Sequence, residues 1–381
     1  MKVVVAIDSF KGSLSSMEAG IAAKEGILAA HPSAQVVVKP LADGGEGTAD
    51  ALIAGLGGQT ISLRVSGPLG APVSVHYGYW PDRQLAVLEM ASAAGITLIP
   101  ESEKDPLTAT TYGVGEMIRD AIQRGCRHFI IGIGGSVTND GGVGMLKALG
   151  YRFLDQNGTD VGMGGSALSK IFSISAAHVL PELKLCQFQI ACDVSNPLCG
   201  PTGATYIYGP QKGVTEALKA PLDAAMAHYA SVTEQTMHNC FRDTPGSGAA
   251  GGMGFACLSY LQASLTPGIQ LIMEATHLTE ELKTADVVVT GEGCLDAQTT
   301  MGKAPVGIAK LAKQFGATVI AFSGSATKDA TACNAAGIDA FFPILRNVVT
   351  LEEALSPETA KENLSLTAEQ VFRLLQCRPL R

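Results

Sequence analysis

The sequence predicts an α/β fold: a parallel-sheet domain assembled from both ends of the chain, with a mixed α+β domain inserted into it. Three observations predict this. The N-terminal segment alternates buried strands and helices with short links. The C-terminal third repeats that rhythm. The middle contains a stretch in which apolar and polar residues alternate, the mark of a half-exposed antiparallel strand.

Val3–Ile7 is a continuous apolar, mostly β-branched run, the pattern of a strand buried on both faces. A turn follows at Ser9–Gly12. Ser15 stands three residues before Glu18, a capping box that opens a helix to about Ala30. Pro32 and Ser33 end that helix. Val36–Leu41 reads as a second buried strand, and Thr48–Leu56 as a short helix. Near the other end, Val287–Val289 reads as a strand and Gly291–Gly302 as a loop. The helix Ala304–Phe315 tolerates Pro305 in its first turn. Strand Thr318–Phe322, a helix over about Asp329–Ala336, strand Ile338–Phe342 and an amphipathic helix over Pro357–Leu375 complete the chain. Two strands from the start and three from the end make a five-stranded sheet.

In the middle, Val73–Tyr79 alternates and pairs with Leu85–Met90 across the Trp80–Gln84 turn. Phe129–Ile133 and Phe188–Cys192 are further buried strands. Helices are expected over Gly113–Arg124, Glu216–Met237 and Ala249–Gln262. The expected division is residues 1–69 plus 271–381 for the outer domain and 70–270 for the insert, with the active site in the cleft between them.

Composition narrows the function. The chain carries 27 basic and 35 acidic residues, a net charge of −8. It has no Lys/Arg run of three, so nucleic-acid binding, which rests on phosphate neutralisation, is disfavoured. Nine cysteines occur without a C-x-x-C pair, which points to free thiols in a reducing cytoplasm. No apolar run approaches membrane-spanning length and no signal peptide is evident. Only 16% of residues are charged, as in a well-buried chain; a homodimer is the oligomer considered.

Glycine is in excess, at 44 of 381 residues, and it collects after predicted strands. The runs are Asp43-Gly44-Gly45-Glu46-Gly47, then Gly134-Gly135-Ser136 through Gly144, and Gly291-Glu292-Gly293 through Lys303. A fourth run, Gly246–Gly254, opens a helix. Ligands of parallel sheets bind beyond the carboxyl ends of strands, and glycine there lets backbone N–H groups approach an anion. The familiar nucleotide signatures are missing. Gly302-Lys303 is followed by Ala304, so this is no Walker loop, and the literal G-x-G-x-x-G at Gly246–Gly251 follows no strand.

Charged residues sit among these loops. Lys11, after the first strand, and Lys303, before a helix, can neutralise phosphates; a solvated turn is the competing reading for Lys11. Glu292 and Asp296 are hard oxygen ligands suited to Mg²⁺, unless Asp296 only orders its turn. Asp193 ends a strand and can take a proton from a substrate hydroxyl, or can form a plain Asx turn into Asn196-Pro197. Lys212 either reaches the same cleft or lies in a solvated turn.

Taken in order, Asp8-Ser9-Phe10-Lys11, Ala42–Thr48, Gly132–Ser136, Asp140-Gly141-Gly142, Ala191–Val194 with Asn196-Pro197-Leu198, Gly209–Gly213, Gly248–Gly254, Thr290–Gly293 with Asp296, Gln298 and Thr299, and Gly302–Pro305 resemble the type-1 glycerate kinase family over essentially the whole chain. The resemblance implies a flavodoxin-like domain carrying an inserted α+β domain. It implies ATP-dependent phosphorylation of D-glycerate with Mg²⁺, 2-phosphoglycerate being the product associated with bacterial members. For that reaction, the chemistry of the loop residues places ATP phosphates against Ser9, Lys11, Gly291, Glu292, Gly293 and Lys303, with Mg²⁺ near Glu292 and Asp296, as an expectation. Glycerate is expected against Asp43, Gly44, Gly45, Glu46, Gly47, Gly134, Gly135, Ser136 and Asn196, with Asp193 as base. The alternatives are 3-phosphoglycerate as product, or a small-anion sensor without turnover.

Overall fold

The computed structural model describes residues 1–42, 47–301 and 303–377. Its strands run β1 Lys2–Val5, β2 Gln35–Val38, β3 Gln59–Ser66, β4 Pro72–Trp80, β5 Leu85–Glu89, β6 His128–Gly132, β7 Arg152–Leu154, β8 Ser173–Ser175, β9 Gln187–Ala191, β10 Ser264–Thr266, β11 Val287–Leu295, β12 Thr318–Ala326 and β13 Ala340–Pro343. Contacts divide the chain into two compact units. Unit 1 holds Met1–Asp43, Asp50–Gly57 and Ile269–Arg381; unit 2 holds Gly44–Ala49 and Gly58–Gly268.

Unit 1 is built on an all-parallel sheet ordered β13-β12-β11-β1-β2. Numbered within the sheet, this is the flavodoxin-like order 2-1-3-4-5. The N-terminal apolar run explains the layering. Val3, Val5 and Ile7 enter one core with Ile27, Leu364 and Phe372. Val4 and Ala6 enter a second core with Leu282, Ile308 and Ala309. Successive side chains of a strand point to opposite faces, so one run feeds both layers of helices. Ser15 caps the helix Ser16–Ala30 with the expected reciprocal bonds to Glu18.

Two inner strands of this sheet run longer than sequence patterning indicates. β11 continues through Gly291 to Leu295 and β12 to Ala326, because each pairs with the other along that length, Glu292 opposite Ser323 and Leu295 opposite Ala326. Gly291–Leu295 is therefore strand rather than loop. Gly291 is demanded by packing: a Cβ there would stand 1.9 Å from the Phe322 carbonyl oxygen.

Unit 2 has a six-stranded sheet ordered β10-β9-β6-β5-β4-β3. β5, β6, β9 and β10 are parallel; β4 pairs antiparallel with both β5 and β3. The β4–β5 hairpin forms across Pro81–Arg83, as the alternation indicates. β3 is an element the sequence reading omits. The expected helix Ala249–Gln262 ends at Leu261, and Ala250, Gly251 and Gly252 take left-handed conformations, so regular turns begin only at Met253. Among the described residues no helix is long and apolar enough to cross a membrane, and the nine cysteines are free.

Candidate functional site

In unit 1, β1 and β11 are neighbours at the point where the strand order reverses, the place where open parallel sheets bind ligands. Beyond the end of β1 the chain stays bonded to β11, Ala6 N–H donating to the Val289 carbonyl at 2.8 Å and Asp8 N–H to the Gly291 carbonyl at 2.9 Å. The chain then turns tightly, Phe10 N–H to Leu14 O at 2.8 Å, with Ser9 N–H donating to Asp8 Oδ1 at 2.7 Å. A cavity of about 400 Å³ opens there. Asp8, Ser9, Lys11, Glu292, Gly293, Asp296 and Lys303 form its polar wall. Ile344, Leu345, Leu351, Leu355 and Ala360 form an apolar wall. The structure thus gathers Ser9 and Lys11 from one end of the chain and Glu292, Gly293, Asp296 and Lys303 from the other at one site. Ser13, which sequence reasoning did not single out, lines the same cavity, and its buried hydroxyl has no partner among the described residues.

Glu292 is braced by Thr299, whose hydroxyl donates to Oε1 at 2.7 Å. Asp296 orders its turn by accepting from Thr299 N–H at 3.0 Å. The Lys303 ammonium lies 3.6 Å from Glu292 Oε2 and 3.7 Å from Asp296 Oδ1. Burial raises the Glu292 carboxyl above its ordinary range, and Thr299 and Lys303 oppose that shift. Two carboxylates already flanking a cation in this cavity fit Mg²⁺, which takes one or two carboxylates and completes its shell with water and substrate phosphates. Among the described residues no group of three His, Cys, Asp or Glu side chains could cage a metal alone.

In unit 2, four segments meet at the carboxyl end of the parallel strands. Gly132 on β6 stands opposite Glu89 on β5 and Ala191 on β9. Glu89 accepts from Gly47 N–H at 3.2 Å and Ala49 N–H at 2.7 Å, holding the start of the helix Thr48–Leu56. The Gly47 N–H is therefore taken up within the protein. Asp43, Gly44, Gly45 and Glu46 lie outside the described residues. After β6, Gly134 and Gly135 are exposed and Ser136 is buried. That turn is pinned by Ile96 N–H to Gly135 O at 2.8 Å and Val137 N–H to Ala94 O at 3.0 Å.

Asp193 is exposed two residues past β9, and its Oδ1 accepts from Gly268 N–H at 3.0 Å. Asn196 braces the following turn. Its Nδ2 donates to Thr202 O at 2.8 Å, and its Oδ1 accepts from the Tyr208 hydroxyl at 2.6 Å.

Lys212 is not a solvated turn lysine. It is 2% exposed, and its ammonium donates to Ser136 Oγ at 2.7 Å and to Thr138 O at 2.8 Å. Burial pushes it down to about 7, partly opposed by the Asp140 carboxylate. Charged side chains are rarely buried unless paired, so the Gly209–Gly213 motif was the only sequence signal available for it.

The comparisons with known proteins agree with one another. The model of the glycerate kinase family matches residues 3–376. A Bacillus subtilis (strain 168) protein named glycerate kinase is 45% identical over 371 residues, 97% of each chain. An Escherichia coli (strain K12) protein named glycerate 2-kinase is 45% identical over 354 residues, 93% of each chain. A crystal structure of a Salmonella typhimurium LT2 protein assigned as glycerate kinase 2 superposes with a TM-score of 0.90 at 42% identity, covering 99% of this chain and 98% of that one. The chain belongs to the glycerate kinase family, and as such is a phosphotransferase that takes an alcohol group as its acceptor.

Proposed function

We propose that the chain transfers the terminal phosphate of ATP to D-glycerate, giving 2-phosphoglycerate and ADP. The observation that carries the nucleotide half is the unit 1 cavity. It joins Lys11 and Lys303 to a carboxylate pair at the switch point of a parallel sheet, and its apolar wall offers a surface for a base. The name of the Escherichia coli relative, glycerate 2-kinase, supports the 2-position.

In phosphoryl transfer a protein mostly positions the reactants and stabilises charge. Lys11 and Lys303 bind phosphate oxygens, and Ser9 and the Gly293 backbone orient them. Glu292 and Asp296 would hold Mg²⁺, which when bound neutralises charge on those oxygens. In unit 2 the Gly134–Ser136 turn binds glycerate, Asp193 accepts the proton of the attacking hydroxyl, and Asn196 keeps the turn beyond Asp193 in shape. The nine free thiols fit a reducing cytoplasm. A homodimer belongs to the same proposal and is tested by light scattering.

The test is ADP release with D-glycerate, followed by proton-coupled phosphorus NMR of the product. A phosphate on the single-hydrogen carbon gives a doublet, as expected here. A triplet would establish 3-phosphoglycerate, and absence of ADP release would leave an anion sensor. Lys11→Ala is expected to lower kcat at least roughly 10²-fold, the typical loss on removing one preorganised charge-stabilising donor. Unchanged kinetics in a folded variant would remove Lys11 from the phosphate site.

A further inference from the structure

One charged group in unit 2, Lys212, takes no part in the phosphoryl transfer described for the site. Lys212 buries a positive charge, yet among the described residues no carboxylate lies within ion-pair distance of it, and the Asp140 carboxylate only partly offsets the effect of burial from farther away. Both of its acceptors, Ser136 Oγ and the Thr138 carbonyl, are neutral. Burying a charge without a close partner is strongly unfavourable. A neutral amide side chain could donate the same two hydrogen bonds, so tying the loop down does not explain a lysine. What a lysine adds is the charge.

An ammonium can only donate, so Ser136 Oγ accepts from Lys212, and its own hydrogen must point elsewhere. Among the described residues no acceptor takes it. The hydroxyl belongs to a turn that is open to solvent at Gly134 and Gly135 and held at both sides by backbone bonds to Ala94 and Ile96. In the same loop Thr138 Oγ1 is buried and unpartnered. The turn thus presents a fixed, cation-backed O–H donor at the carboxyl end of the parallel strands.

We propose that Ser136 and Lys212 read the carboxylate of the acceptor substrate: the Ser136 hydroxyl donates to it, and Lys212 acts as a positioning residue that fixes this hydroxyl as a donor and supplies the balancing charge. The inference rests on the kinase reading, since it takes the acceptor to be a small hydroxy acid. It explains why the buried ammonium is kept: an anion bound at Ser136 favours the charged lysine that burial alone opposes.

The test uses Lys212→Gln and Ser136→Ala in the full chain, with D-glycerate and its neutral amide, glyceramide, as acceptors. Gln keeps hydrogen-bond donors at position 212 and removes the charge. Both variants are expected to raise the KM for D-glycerate at least roughly tenfold, as for loss of a charge-assisted hydrogen bond. The KM for ATP should stay near its parent value, kcat should change less than KM, and the preference for glycerate over glyceramide should shrink by the same factor. An unchanged glycerate KM, or equal losses on glycerate and glyceramide, overturns the proposal. Should Lys212→Gln fail to fold, Ser136→Ala decides by the same criteria with the lysine in place. The parent protein is assayed alongside. Parental turnover of D-glycerate with unaffected variants sinks this inference alone, whereas a parent that releases no ADP sinks the kinase reading.

Discussion

Asp193→Asn is expected to lower kcat by roughly 10²- to 10⁴-fold, the range of a positioned general base, with the thermal midpoint nearly unchanged. The separation of activity from stability follows from the local geometry. Asp193 follows β9 by two residues, next to the β6 end that carries the Gly134–Ser136 turn. Its Oδ1 accepts from Gly268 N–H at 3.0 Å. An asparagine retains an oxygen for that bond, so the junction between β10 and the helix Gly268–Ala275 stays anchored. What it lacks is the carboxylate basicity needed to take the hydroxyl proton. Steady-state kinetics at saturating glycerate and ATP, read with a melting curve, check this. A kcat within about threefold of the parent at equal stability would exclude Asp193 as the base.

The second large effect concerns stability. Asp140→Ala should destabilise unit 2 by about 3–5 kcal/mol, the usual cost of breaking a buried charged network, or prevent folding. Asp140 is fully buried, and its carboxylate accepts from Thr111 N–H at 2.8 Å, Thr111 Oγ1 at 2.9 Å, Gly142 N–H at 3.1 Å, Gly144 N–H at 3.2 Å and Thr110 Oγ1 at 3.4 Å. Burial raises this carboxyl above its ordinary range while the Thr111, Gly142 and Gly144 donors pull it back. With donors on every side, the ionised form is the one the geometry fits. Alanine would leave those donors buried without an acceptor. Asn should fall between, because its NH₂ would face N–H groups. Gly144 belongs to the same device: a Cβ there would stand 2.1 Å from Thr110 Oγ1 and 2.9 Å from Asp140 Oδ2. Denaturant titration of the three proteins measures the effect. A loss under about 1 kcal/mol, no more than one ordinary hydrogen bond, would show that water or repacking replaces the network.

Much of the fold is legible because its signals are local. Ser15 and Glu18 specify a helix start within one turn, and Val3–Ile7 specifies a strand covered on both faces. Where local signals stop, so does legibility. Gly291–Leu295 carries no strand pattern and is strand only because β12 runs beside it. β3 is the opposite case: Ile61, Leu63 and Val65 alternate with polar residues, a strand period present in the sequence itself. In the candidate site, the motifs named Lys11, Glu292, Asp296 and Lys303, but their convergence on one cavity depends on which strands are neighbours. Lys212 shows the limit most sharply. Its motif leaves a solvated turn and a site residue equally open, and burial depends on the surrounding unit.

By itself, then, the sequence determined the elements, their α/β order and the chemistry available in each loop, because periodicity, caps and residue type act over a few neighbours. Only the tertiary structure decided which loops share a site and which charges lose their water. Those follow from strand order and packing, which bring Asp8 to Gly291 and seal Lys212 against Ser136 across long stretches of chain.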